Sequence, residues 1–121
     1  MEELSQQDLH NLAMKHVGKE LENHGFEFIA INSQLKKHPQ FVCVDKPTNT
    51  LHFVMVQAVT YPDNPAEYDA VFMETFKEHA KTKNAKILYV GIGFANAQDY
   101  ESPIFKNQDY IMNYEGITEI L

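Results

Sequence analysis

Within Gly18-Lys19-Glu20-Leu21-Glu22-Asn23-His24-Gly25-Phe26 a helical spacing of apolar residues ends and a strand spacing begins. Upstream, Leu9, Leu12, Ala13, Val17 and Leu21 recur on one helical face. Ser5, with Asp8 three residues later, forms the pattern of a capping box, in which the hydroxyl accepts from an orphan helix N–H and the acid sits at the positive end. Gly25 supplies the left-handed stop. The predicted helix covers about residues 6–24. Downstream, Phe26, Phe28 and Ala30 alternate with Glu27, Ile29 and Ile31, the period of a strand.

The pattern continues outward in the same two periods. Asn32 to Pro39 is polar and ends in a proline that helices reject, and Phe41-Val42-Cys43-Val44 reads as a largely buried strand. Lys46-Pro47-Thr48-Asn49-Thr50 has turn chemistry, and Leu51 to Val59 makes a third strand, so the three strands form a meander. Tyr61-Pro62-Asp63-Asn64-Pro65 breaks that strand, and Asn64 as N-cap, Pro65 at the first helical position and Glu67 predict that a second helix begins there. Phe72, Met73, Phe76 and Ala80 supply its apolar stripe, with Asn84 near its end. Ile87-Leu88-Tyr89-Val90 starts a fourth strand. A polar run over residues 96–109, containing Pro103, predicts a long surface loop, and Tyr110-Ile111-Met112 and Ile117 to Leu121 offer terminal strands. The fold class that follows is α/β (α+β): an αβββαβ core with a mixed sheet flanked by two helices, in one domain over residues 1–121.

With 121 residues, 44% of them apolar and 12% aromatic, the chain has material for one hydrophobic core. Ten Lys+Arg against 17 Asp+Glu give a net charge of −7, which repels a phosphate backbone and makes nucleic acid a disfavoured partner. Lys77, Lys81, Lys83 and Lys86 lie close together and read as the solvated side of a helix. The single cysteine, Cys43, cannot close an internal disulfide, and the N-terminal residues lack the basic, apolar and small-residue order of a secretory signal, so the expected location is cytoplasmic. Apolar runs such as Val54-Met55-Val56 fall far below the roughly 20 residues that cross a bilayer, so no direct membrane insertion is expected and a membrane link would run through a partner.

The αβββαβ order over about residues 6–95, together with Gly18-Lys19-Glu20 and Gly25-Phe26, resembles the restriction-endonuclease-like fold of PD-(D/E)xK nucleases. In that family the resemblance implies acids on strands two and three that hold a divalent metal and a lysine that helps activate water. Here Pro39-Gln40 stands in place of Pro-Asp, and Met55-Val56-Gln57 in place of acid, any residue, lysine. An amide oxygen is a weak ligand for a hard cation and a thioether prefers soft metals, so Gln40 and Met55 do not replace two carboxylates. The expectation is a non-catalytic domain without metal or cofactor.

The remaining candidates each have a plain structural reading beside the chemical one. Glu20 is the surviving acid of the resemblance and reads as a solvated helix residue, with His16 one turn before it at a spacing that suits a metal pair or a simple i,i+4 contact, the contact being the expectation. Asp45, after strand two, could approach Gln57 in space but has ordinary turn composition around it. Glu20, Asp45 and Gln57 are therefore the only catalytic candidates, those of a nuclease with migrated site residues. Pro62-Asp63 falls in a loop before a helix and serves turn roles. Six histidines (His10, His16, His24, His38, His52, His79) show no ligand-pair spacing and are expected at the surface or at edges. Gly91-Ile92-Gly93 lacks the rest of a dinucleotide fingerprint and points to close backbone packing at a strand end. Cys43, inside an apolar strand, is expected to be a buried, inert thiol.

The chain also resembles a group of short bacterial proteins, some of which carry the label of the F component of sodium-translocating NADH-quinone reductase. That label implies a flavin and an iron–sulfur cluster. Such a cluster is held by a set of cysteine thiolates, and this chain has one cysteine and no complete nucleotide-binding motif. The functional expectation is a protein-interaction or self-association module, a homo-oligomer pairing through the edge of Tyr110-Ile111-Met112 being one form of it. A nuclease and an accessory protein of a membrane NADH-quinone reductase complex are the alternatives.

Overall fold

The computed structural model describes residues 2–35 and 37–121; Lys36, inside the polar segment before the second strand, lies outside them. The capping box forms at Ser5, whose Oγ accepts from the Asp8 N–H at 3.0 Å while Asp8 Oδ2 accepts from the Ser5 N–H at 2.9 Å. It starts α1 (Gln6–Asn23), and Gly25, at φ +88°, redirects the chain into β1 (Phe26–Ile31). β1 pairs antiparallel with β2 (Phe41–Asp45), and β2 with β3 (Thr50–Thr60), giving the expected meander. The chain then crosses through α2 (Ala70–Thr82) to β4 (Lys86–Asn96), which runs parallel to β3. β5 (Tyr110–Tyr114) and β6 (Thr118–Glu119) return antiparallel along different parts of β4. The order is β1-β2-β3-β4-β5, a mixed sheet flanked by two helices, so the chain is of α/β class.

Alternation along β3 and β4 divides the core in two. Val54, Val56, Leu88, Val90, Ile92 and Phe94 pack with Leu9, Ala13, Met14, Val17 and Leu21 of α1. Phe53, Met55, Ile87 and Tyr89 pack with Met73, Phe76 and Ala80 of α2. Each Leu, Ile or Val fully buried this way contributes roughly 1.5–3 kcal/mol. Cys43 is sealed on the α1 side, where burial pushes its thiol up to about 11 and leaves it inert. The lysine run is solvated and balanced by acids: Lys77 pairs with Glu74, Lys81 with Glu78 and Lys86 with Glu119.

The second helix starts later than its sequence pattern predicts. Asn64 does cap locally, its Oδ1 accepting from the Ala66 N–H at 2.9 Å, but only a single turn follows. The carbonyls that would continue a helix are taken by the sheet. The Tyr89 hydroxyl donates to Pro65 O at 2.6 Å and to Glu67 O at 3.3 Å, and Gln57 Nε2 donates to Glu67 O at 2.8 Å. The helix begins instead where Asp69 Oδ1 accepts from the Phe72 N–H at 3.0 Å. Phe72 consequently leaves the buried stripe and is 40% exposed.

Pro65 lies directly on β4, which explains Gly91-Ile92-Gly93 as close backbone packing within the strand rather than at its end. A Cβ on Gly91 would fall 1.8 Å from Pro65 O, and one on Gly93 would fall 3.4 Å from the Pro65 ring. Gly91→Ala is therefore expected to lower the unfolding free energy by about 1–3 kcal/mol in urea denaturation, because backbone must move. Gly18→Ala is the contrasting case: its Cβ would meet only Phe41 ring carbons at 3.7 and 3.8 Å, and the better helix former is expected to add roughly 0.5–1 kcal/mol.

Candidate functional site

The position where the nuclease resemblance would put a metal-binding carboxylate is Gln40, and its side chain is a structural link. The backbone enters β2 with the Gln40 N–H donating to Val54 O at 3.0 Å and Gln40 O accepting from the Asn32 N–H at 2.8 Å. Its Oε1 accepts from the Val56 N–H at 3.0 Å, so the amide extends the β3 ladder beyond the last paired residue of β2. That contact fixes the amide orientation, and Nε2 then donates to His10 Nε2 at 2.7 Å and to Gln34 O at 3.4 Å. His10 Nε2 is thus an acceptor on a neutral ring, consistent with burial lowering its pKa. Gln40 is 0% exposed and its amide is committed to protein partners.

The histidines do not all lie at the surface, as their sequence context predicts. His10 and His52 are buried, His10 by the Gln40 amide and His52 against Phe26, with ring centroids 5.0 Å apart. His38 packs on Phe72 at 5.2 Å, and its buried Nδ1 has no hydrogen-bond partner among the described residues. Burial, and secondarily the charge of His10, lower the His38 pKa.

The three catalytic candidates occupy separate surroundings. Glu20 faces His16, at 3.9 Å, in the expected i,i+4 contact, and His16 stacks edge-on to Tyr114 at 4.5 Å. Glu20 follows His10 by about 15 Å along the α1 axis, which removes it from Gln40. Asp45 is held in its turn, where Oδ2 accepts from the Thr48 hydroxyl at 2.9 Å. Its approach to Gln57 does not occur. The register places Asp45 opposite Thr50, about 23 Å along β3 from Gln57, and Gln57 is bound to the Glu67 carbonyl. Sequence proximity to a strand end left the register open, and the register decides against the pairing.

A cleft that the sequence did not single out lies beyond the carboxyl ends of β3 and β4. The turn after β3 seats Tyr61, whose N–H donates to Phe94 O at 2.9 Å, and the Asp63 N–H closes that turn on Thr60 O at 2.9 Å. The loop after β4 is pinned by Asn96: its Nδ2 donates to Pro103 O at 2.8 Å and its Oδ1 accepts from the Gln98 N–H at 2.9 Å. Between them Tyr61 and Tyr100 stand 5.5 Å apart at an interplanar angle of 59°, over a floor of Gly93, Ala95 and Ile111. The cavity is about 160 Å³. Asp63 and Asn113 supply its polar groups. The signal available in the sequence was only exposed aromatic residues in turns, at Tyr61 and Tyr100.

A family model described as Domain of unknown function (DUF8840) matches residues 7–120. No curated protein matches the chain. Among the described residues no helix is long and apolar enough to cross a membrane.

Two measurements check the Gln40 link. Gln40→Ala is expected to cost about 1–3 kcal/mol from the unpaired Val56 N–H alone, with the vacated space adding to it. The wild-type chain is also expected to lose stability in mild acid. An unfolded histidine takes up its proton near 6.5, whereas His10 and His38 in the fold do so only at lower pH. Their contribution is complete above that value and declines as pH falls below it. A urea midpoint that stays flat from about pH 7.5 to about pH 5, above the main carboxylate range, would contradict buried neutral rings.

Proposed function

The chain belongs to the family described as a domain of unknown function (DUF8840), and from that premise we propose that it is a non-catalytic protein-interaction domain on a degenerate nuclease-like scaffold. The observation that carries this reading is Gln40. At the point where the resembling nucleases place an acid, this chain has a sealed amide whose acceptor holds the Val56 N–H and whose donor is engaged by His10 and Gln34. A divalent ion there would have to displace the Val56 N–H from the amide oxygen, itself a weak ligand for a hard cation. The separation of Glu20, Asp45 and Gln57 leaves a migrated nuclease site without a common centre.

Interaction surface is supported by the sheet edges. β1 ends the sheet on one side and carries Ile29 and Ile31 at 61% and 58% exposure, while β5 ends it on the other with Ile111 part-exposed. Unpaired strand edges bearing large apolar side chains favour association with another chain, including a second copy.

Two assays test it. Incubation with DNA or RNA and Mg²⁺ or Mn²⁺ is expected to leave the nucleic acid intact; cleavage that disappears in Glu20→Ala or Asp45→Ala overturns the non-catalytic reading. Sedimentation velocity at high concentration checks the edge. Any dimer formed through β1 is expected to dissociate in Ile29→Lys, a charge at the edge strand opposing pairing, and a dimer indifferent to that change excludes β1 as its interface.

A further inference from the structure

We propose that the Tyr61–Tyr100 cleft binds a guanidinium group, and that its occupant is an arginine side chain presented by a different protein. This rests on the interaction-domain reading and names the partner's chemistry. Three of the large apolar or aromatic side chains that the fold leaves exposed, Tyr61 at 48%, Tyr100 at 52% and Ile111 at 41%, gather at this one place. Tyrosine faces attract cations, and a planar guanidinium also stacks on them, which a compact ammonium does not. Asp63 stands in the same lining, and its carboxylate has no hydrogen bond or ion pair to any described residue. The neighbouring Asp99 is by contrast consumed, accepting from the Glu101 N–H at 3.1 Å and the Ser102 hydroxyl at 2.8 Å. The cleft therefore has one carboxylate left for a ligand, and its lining contains no basic residue to answer it.

Size restricts the occupant. A cavity of about 160 Å³ matches a side-chain-sized group and is smaller than the roughly 300–1,000 Å³ of pockets that hold whole cofactors or drug-sized ligands. The walls are preformed, because Pro65 is locked on Gly91 by the Tyr89 hydroxyl and the Tyr100 loop is tied to Asn96. A preformed socket for one anchor residue is how a few side chains come to dominate an interface. A second copy is excluded as the source, since all ten Lys+Arg residues of this sequence are lysines and it has no arginine to offer.

The test uses the intact chain, with the Ile111 methyl and Asn113 side-chain amide followed by NMR during titration with acetyl-Gly-Arg-Gly-amide. Shifts confined to the cleft are expected. The citrulline and lysine versions of the peptide are expected to bind at least roughly tenfold more weakly, as is the arginine peptide to Asp63→Asn, since one charge-assisted contact is lost. Tyr100→Leu is expected to weaken it as well while the far-UV circular dichroism is unchanged. No shift at Ile111 and Asn113, or equal binding of citrulline, overturns the site. Methylguanidinium is the arm for a free ligand: weaker binding than the peptide supports a protein source, and tighter binding overturns it in favour of a small guanidino compound. Metal-dependent cleavage in the nuclease assay would sink the non-catalytic reading alone, whereas a silent cleft in a non-cleaving protein sinks only this one.

Discussion

The parallel pairing of β3 with β4, from His52 opposite Lys86 to Thr60 opposite Phe94, is the constraint from which the other features follow. Parallel neighbours cannot be joined by a tight turn, so the chain must leave the sheet at Thr60, cross a face and re-enter at Lys86. α2 is that crossing. A parallel pair also buries both faces, which is why Val54 and Val56 need α1 while Phe53 and Met55 need α2. The antiparallel strands then fill the two flanks. The same geometry brings the loops after β3 and β4 together at the carboxyl ends of the strands, where open α/β sheets form their crevices. The Tyr61–Tyr100 cleft is therefore a product of topology as much as of its own residues.

Gln40 shows why an amide rather than an acid suits the entry to β2. The Val56 N–H needs an acceptor, and the unprotonated Nε2 of His10 needs a donor. A glutamine side chain offers both at once. A carboxylate offers only acceptors, so it would force His10 to take a proton at a buried site and would place a charge where no water reaches it. Any function that required a carboxylate here would therefore have to rebuild the contact between α1, the segment before β2, and β3. The side chain that is committed to this connection has no carboxylate to offer a metal.

Much of the fold was legible because it is set by local rules. The Ser5–Asp8 box, the stop at Gly25 and the apolar strand run over residues 51–59 each have a cause within a few residues, and each appears where the pattern places it. Asn64-Pro65 with Glu67 misled for a physical reason: the cap is real, but Tyr89 and Gln57 outcompete the helix for the carbonyls of Pro65 and Glu67. Nothing near residue 64 in the chain announces a tyrosine hydroxyl arriving from β4. His10 was hidden in the same way, since its partner lies thirty residues away and an apolar helix face with one histidine does not reveal what answers it. The distance between Asp45 and Gln57 depended on register, and the cleft on three segments meeting, so neither could be read from spacing.

One sign of charge links the partner class that composition disfavours to the one the cleft fits. Lys46, Lys77, Lys81, Lys86 and Lys106 lie against glutamates at 2.7–3.6 Å, which neutralises them locally and leaves the remaining acids to set the field of a chain with net charge −7. Such exposed pairs add little stability, about 0–1 kcal/mol each, so their main effect is on the surface potential. A negative field repels phosphate and draws in basic chains, speeding encounter most at low salt, while screening confines it to roughly 8–10 Å under ordinary conditions. Long-range attraction alone selects no particular basic partner. Selection requires a place where a cation loses water against fixed groups, and the unpaired Asp63 carboxylate beside two tyrosine rings is such a place. The field then brings a basic surface to the sheet edge, and the exposed tyrosine faces beside Asp63, on which a planar guanidinium stacks and a compact ammonium does not, sort arginine from lysine.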